Sequence, residues 1–314
     1  MTACRSLRSL RSLARIGAFA LAFTVASLAQ AHPAFSVRIS GHGPAMIFIP
    51  GMNSSAATWD STVAQLKDHY TCYVLQLAGF AGAAPIEQPL LPAVKTELLA
   101  YVRGHHLDHP ILVGHSLGGV IALDVVEAAP SRFGPVVIVD SLPFYAGTMP
   151  GVNNLAAAQP MIAQMKAGMA HMTKAAYVKA AEAGVYTNSM TTSPAHQALL
   201  KQWSSSSDLD TFRNATIEMY SLDLCPGLRN IQQPVLVLGT WRGWQKSFAA
   251  GGIHLTRTDF VAEFQKQYAS LAHLHFAMAD HSRHFIMWDD PAWFFGQLDA
   301  FLAHPEQSVQ SRGF

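Results

Sequence analysis

Short apolar runs rich in β-branched residues alternate along this chain with longer stretches in which apolar positions recur every third or fourth residue. The runs cover residues 45–49, 71–77, 110–113, 135–139, 234–238 and 273–278, and helical spacing marks 93–103, 118–128, 259–271 and 291–302. Near-continuous apolar strands need helices on both faces to keep them from water, which is the arrangement of a mostly parallel sheet. The pattern predicts one six-stranded α/β sheet, without internal repeats or long linkers.

The alternation stops between residues 143 and 222, where Ala, Met and Gln dominate and no strand pattern is present. Residues 159–173 space their apolar side chains helically, and 175–183 and 194–204 predict two more helices. This segment reads as a helical cap, which divides the chain into a core of 32–142 and 223–314 and a cap of 143–222. Its methionines either pack small helices together or line an adaptable cavity with flexible thioethers.

Composition adds bounds and little else. With 314 residues, 50% hydrophobic and 13% charged, the chain can bury a large core. Its formal net charge of +1 supplies no field that would select nucleic acid or an anionic membrane. At the start, Arg5, Arg8, Arg11 and Arg15 precede an apolar stretch at 16–28 and then Ala29-Gln30-Ala31. These are the three parts of a cleavable secretory signal, so residues 1–31 are expected to be removed and the mature chain to begin near His32 in the periplasm or outside the cell. The rival is a retained membrane anchor, for which the stretch falls short of the ~20 residues a spanning helix needs. No later segment has a spanning pattern. Cleavage removes Cys4 and leaves Cys72 and Cys225, far apart in sequence and read as two buried or free thiols, although one disulfide is arithmetically open.

The chemistry concentrates at Gly114-His115-Ser116-Leu117-Gly118. An apolar strand leads into this segment and a helical pattern leaves it, which is the strand, tight turn and helix of a nucleophile elbow. Gly114 and Gly118 remove side chains where strand and helix approach closely, and Ser116 is left at the apex. His115 reads as a flanking residue, since neighbours on a tight turn point apart. Upstream, the turn at Pro50-Gly51 follows the run 45–49 and can aim the N–H of Met52 at the same point as the N–H of Leu117, giving two candidate oxyanion donors.

These residues resemble the α/β-hydrolase superfamily, in particular its capped members related to carboxylesterases, haloperoxidase-like enzymes and C–C bond hydrolases, over residues 38–302. The resemblance implies the chain order nucleophile, acid, histidine, with the histidine on a loop after the last strand. His284, followed by Phe285, fits that loop best, and His281 is the second choice. The family's usual acid position follows the run 234–238, where this chain reads Gly239-Thr-Trp-Arg-Gly-Trp244 and holds no carboxylate. An alternative family position follows the preceding strand, where Asp140 stands; Asp259, as a helix N-cap, and Asp223, as a turn residue, are weaker choices.

The implied mechanism joins Ser116, His284 and Asp140 in an acyl-enzyme cycle on a small, mostly apolar ester and requires no cofactor. An amide, a lactone or a diketone carbon–carbon bond would use the same residues, and an inactive member binding a small ligand under its cap is a further alternative. His105, His106, Asp108 and His109 resemble a metal cluster but lack the spacing of a zinc protease and read as a solvated helix end, so no metal is expected. No dinucleotide loop, phosphate loop or basic aromatic platform for nucleic acid is present. Trp241, directly after a strand end, is a candidate substrate contact.

Overall fold

Each predicted run forms a strand, and a seventh joins them. The computed structural model describes residues 32–250 and 254–306, so the expected signal segment at 1–31 lies outside the described residues. The strands are β1 (Phe35–Gly41), β2 (Ala45–Ile49), β3 (Thr71–Leu77), β4 (Ile111–His115), β5 (Val136–Val139), β6 (Val235–Thr240) and β7 (Leu274–Ala279). They pair in the order β1-β3-β2-β4-β5-β6-β7, all parallel except β1 with β3. β1 escapes the hydrophobic pattern because it is an edge strand: its middle is exposed, with Ile39 at 53%, and it carries no apolar run.

Helices α1 (Asp60–Leu66), α2 (Leu90–Gly104), α3 (Leu117–Ala128), α4 (Leu155–Ala170), α5 (Lys174–Glu182), α6 (Pro194–Ser206), α7 (Leu209–Tyr220), α8 (Trp241–Ala250), α9 (Arg257–Gln267), α10 (Ile286–Asp289) and α11 (Pro291–Ala303) complete the described residues. Strand side chains alternate between two cores, as a period of two requires. Ile47, Ile49, Leu112, Val136, Ile138, Val235 and Val237 meet α2, α3 and α9 on one face. Met46, Phe48, Val113, Val137, Val139, Leu236 and Leu238 meet α1 and α11 on the other. Full burial of each such side chain stabilises by about 1.5–3 kcal/mol.

Between β5 and β6 the chain runs through α4 to α7. Each of these helices opens on a capping side chain that accepts a backbone N–H: Asn154, Thr173, Ser193 and Asp208. The last helix, α7, lies beyond the predicted set, and it is bonded to the sheet domain. Glu218 accepts from the N–H of Leu90 at 3.1 Å and of Leu91 at 2.7 Å, serving the start of α2, whose own N-cap is Pro89 and offers no acceptor. α9 also begins earlier than predicted. Thr256 is its N-cap and Asp259 the third helical residue, the two forming a reciprocal capping box. Cys72 is buried and Cys225 partly buried, and both are free thiols. Among the described residues no helix is long and apolar enough to cross a membrane.

Candidate active site

β4 ends at His115 and α3 begins at Leu117, so one residue must reverse the chain between them. That residue, Ser116, takes φ 54° and ψ −122°, a region in which a side chain is strained by about 1–3 kcal/mol. The surrounding backbone imposes it. The Ser116 N–H donates to the Val139 carbonyl at 3.0 Å, and its own carbonyl accepts from Gly119 at 2.8 Å. The approach is closed to other residues at two points: a Cβ on Gly114 would lie 2.3 Å from the Gly118 carbonyl oxygen, and one on Gly118 would lie 2.2 Å from that of Ile49.

The next strand delivers a carboxylate to the same edge. Asp140 follows β5 with φ 45°, and its side chain is 1% exposed. Its Oδ1 accepts from the Thr240 N–H at 3.1 Å and from Trp244 Nε1 at 3.0 Å; its Oδ2 accepts from His284 Nδ1 at 2.6 Å. With Nδ1–H committed to the carboxylate, Nε2 is the basic nitrogen of the His284 ring. The loop carrying His284 is held from beneath by His115, whose Nε2 donates to the His284 carbonyl at 3.0 Å and whose ring lies 4.5 Å from that of His284. Complete burial, followed by the neighbouring His284, holds the pKa of His115 well below the ordinary imidazole range, against the opposing pull of that hydrogen bond. His115 is therefore a neutral strut.

The turn after β2 completes the floor. A Cβ on Gly51 would lie 3.1 Å from Ser116 Cβ, which places this turn directly against the elbow. Ser54 N–H closes the turn on the Gly51 carbonyl at 3.3 Å, and Asn53, at φ 55°, accepts from the Tyr177 hydroxyl of α5 at 3.1 Å. The amides of Met52 and Leu117 donate to no protein acceptor among the described residues; Met52 lines the cavity, and Leu117 directly follows Ser116 at the start of α3.

Ser116, Asp140 and His284 line one cavity of about 420 Å³, within the range of small-molecule sites. Its roof comes from the segment after α5, with Tyr186, Thr187 and Met190, from Leu200 of α6, and from Phe212 and Met219 of α7. Among the described residues that line it, none is Lys or Arg. The surface is mostly apolar and aromatic, with scattered hydroxyls.

A model of the alpha/beta hydrolase family matches residues 46–297. The chain belongs to the alpha/beta hydrolase family. Among curated proteins it is 25% identical over 271 residues to the N-formylmaleamate deformylase of Pseudomonas putida, covering 86% of this chain and 92% of that one. Among solved structures it is similar in fold to the enol-lactonase from Burkholderia xenovorans, with a TM-score of 0.66, 14% identity and coverage of 86% and 96%. A thermophilic esterase from Thermogutta terrifontis aligns with a TM-score of 0.67, 15% identity and coverage of 87% and 94%. The similar proteins thus include a deformylase, a lactonase and an esterase, all within one hydrolase fold.

In this alpha/beta hydrolase the other sequence candidates lie elsewhere. Trp241 does not line the cavity: its ring packs 5.3 Å from Phe260 on the sheet's helical layer, and Trp244, one turn along α8, reaches the cavity and Asp140 in its place. β6 passes into α8 without a loop, so the residue directly after the strand points into the layer. Asp259 is spent on its capping box and Asp223 on the N–H of Cys225 at 3.0 Å. His281 is exposed. His105, His106, Asp108 and His109 occupy the exposed turn after α2, where His109 Nδ1 meets Asp108 at 2.6 Å. The residues that sequence reasoning missed are Trp244, Thr240 and Tyr145. The repeat of Trp at 241 and 244, three apart on a helix, was the one available signal for the first of them.

Proposed function

We propose that the protein is a serine hydrolase that cleaves a carboxylic ester through an acyl-enzyme formed on Ser116. One observation carries the reading: the 2.6 Å contact of His284 Nδ1 with the buried Asp140, in the same cavity as a serine held at φ 54° on the elbow. His284 Nε2 takes the Ser116 proton as Oγ bonds to the acyl carbon, and the carbonyl electron pair moves onto oxygen under the Met52 and Leu117 amides. Collapse of that oxyanion breaks the bond to the alcohol, which leaves with the proton from His284. Water repeats the sequence, releasing the acid and restoring Ser116. Asp140 holds the imidazole in the required tautomer and stabilises its charged form.

The mostly apolar lining supports an uncharged acyl group of modest size. A second reading, an amide rather than an ester, is favoured by the deformylase similarity over 86% of this chain. Incubation with a fluorophosphonate probe tests the common part. Labelling of the wild type that disappears in Ser116→Ala supports it, and an unlabelled wild type sinks it. Turnover of p-nitrophenyl esters against release of formate from N-formyl amides then separates the two readings. Export rests on residues 1–31 alone; N-terminal sequencing of the mature protein should begin near His32.

A further inference from the structure

Tyr145 follows Asp140 by five residues, at the start of a one-turn 3-10 helix, Tyr145–Thr148. Its side chain lines the cavity with Ser116, yet the residue is only 7% exposed. Two bonds fix the backbone around it: Phe144 N–H donates to Gln267 Oε1 at 3.2 Å, and Thr148 Oγ1 donates to the Tyr145 carbonyl at 2.8 Å. The ring is held between Tyr220, at 6.0 Å, and Trp244, at 6.3 Å.

Among the described residues the hydroxyl itself forms no hydrogen bond of good geometry. Other buried tyrosines of this chain differ: Tyr268 donates to the Ser141 carbonyl at 2.7 Å, and Tyr177 donates to Asn53. Leaving a buried hydroxyl unpaired is costly, and phenylalanine would pack the same ring without that cost. The Tyr145 hydroxyl lies near enough to the hydroxyls of Ser141 and Ser116 and to the Asp140 carboxylate to be influenced by each, without a formed hydrogen bond to any of them. Burial, the largest influence, pushes the phenol well above its ordinary pKa against the opposing pull of the Ser141 and Ser116 hydroxyls, so the group is protonated and a donor. A donor without a formed hydrogen bond, held in the cavity beside Ser116, can turn to an acceptor on a ligand.

We propose that Tyr145 is a further catalytic residue: its hydroxyl donates a hydrogen bond to the reacting ester or amide group of the substrate as the tetrahedral intermediate forms. The proton stays on the phenol, and His284 carries the proton transfers. This rests on the reading of Ser116 as the nucleophile.

Tyr145→Phe tests it, with p-nitrophenyl butyrate as the probe substrate. The variant should lose roughly tenfold to a hundredfold in kcat, with KM moved less, as for a donor that acts in the transition state. Its melting temperature should not fall, because only an unpaired hydroxyl is removed. A kcat within about twofold of wild type, or a rise in KM alone, overturns the proposal. Loss of activity in step with loss of thermal stability makes the role structural and overturns it as well. An active wild type beside an unchanged variant defeats the Tyr145 assignment only. A wild type that neither takes a fluorophosphonate label nor turns over defeats the Ser116 reading and this proposal with it.

Discussion

The floor and the roof of the cavity are built on different terms. On the floor, Met52, Ser116 and Asp140 stand at the carboxyl ends of β2, β4 and β5, and their positions follow from strand register and from backbone bonds such as Asp140 N–H to the Leu238 carbonyl at 2.7 Å. On the roof, the segment after α5 and helices α6 and α7 present Tyr186, Met190, Leu200 and Met219, held to the rest of the fold by polar ties. Some of those ties end on the floor's own loops, while Glu218 of α7 bonds the start of α2. Tyr177 bonds Asn53, beside Met52, and Asp289 gathers Thr191 Oγ1 at 2.6 Å, Thr192 N–H at 3.0 Å and Arg283 N–H at 2.9 Å, beside His284. Under the proposed function the difference is a division of labour: backbone geometry sets the reaction, side chains set the selection, and the two touch at Asn53 and Asp289 among other points.

If that division holds, floor substitutions abolish turnover and roof substitutions redirect it. Asp140→Asn should lower kcat by about 10⁴-fold with the fold retained, since the amide oxygen still accepts while the imidazole tautomer is lost. Asp259→Asn and Asp223→Asn, measured alongside, should leave turnover unchanged; the reverse pattern breaks the assignment. Asp289→Asn cuts a tie between roof and floor and should lower kcat roughly tenfold, because a small misplacement of a reacting group is expensive. Stability should fall with it by about 1–3 kcal/mol, read by urea denaturation. An effect on KM alone would show that the roof is uncoupled from His284.

His115 gives a pH signature for the floor. Its folded pKa is depressed, so below the unfolded value near 6.5 the unfolded chain binds a proton that the folded chain excludes. Stability is full above pH ~6.5 and is lost as pH falls beneath it, by at most about 1.4 kcal/mol per pH unit. Melting curves between pH 7.5 and 5 should show this slope, and His115→Gln should flatten it. The smallest effect belongs to the roof: Met219→Ala should widen the cavity and shift preference toward longer p-nitrophenyl esters, with kcat on short ones changed only roughly twofold to threefold. A large loss on every chain length would place Met219 with the floor.

The same division explains what was legible in the sequence. The elbow was readable because steric exclusion leaves no alternative to glycine at 114 and 118. Asp140 and His284, which the structure brings together at 2.6 Å, were pointed to by the family resemblance, through its alternative acid position and its histidine loop. β1 was not, because an edge strand half in water has no apolar run. α7 was missed although Asp208 caps it and Leu209, Phe212 and Thr216 share its buried face, since the serine run before it masks the change of period. Trp241 was chosen over Trp244 because the sequence does not announce that β6 enters a helix without a loop. Tyr145 could not be found at all. The role proposed for it lies in a hydroxyl that forms no hydrogen bond among the described residues, and a lone tyrosine after a strand does not signal whether its oxygen has a partner.

Ser116 and Asp140 both sit at positive φ, where glycine rests without strain. At Ser116, heat resistance and the proposed activity therefore pull in opposite directions; at Asp140 three hydrogen bonds offset the strain. A mutant library sorted only for survival at high temperature is expected to gather Ser116→Gly, a sturdier protein without the proposed nucleophile, whereas Asp140→Gly would leave the donors of Thr240, Trp244 and His284 unpaired. Any effort to harden this scaffold must select on turnover at every round, because the fold on its own would choose to be inert.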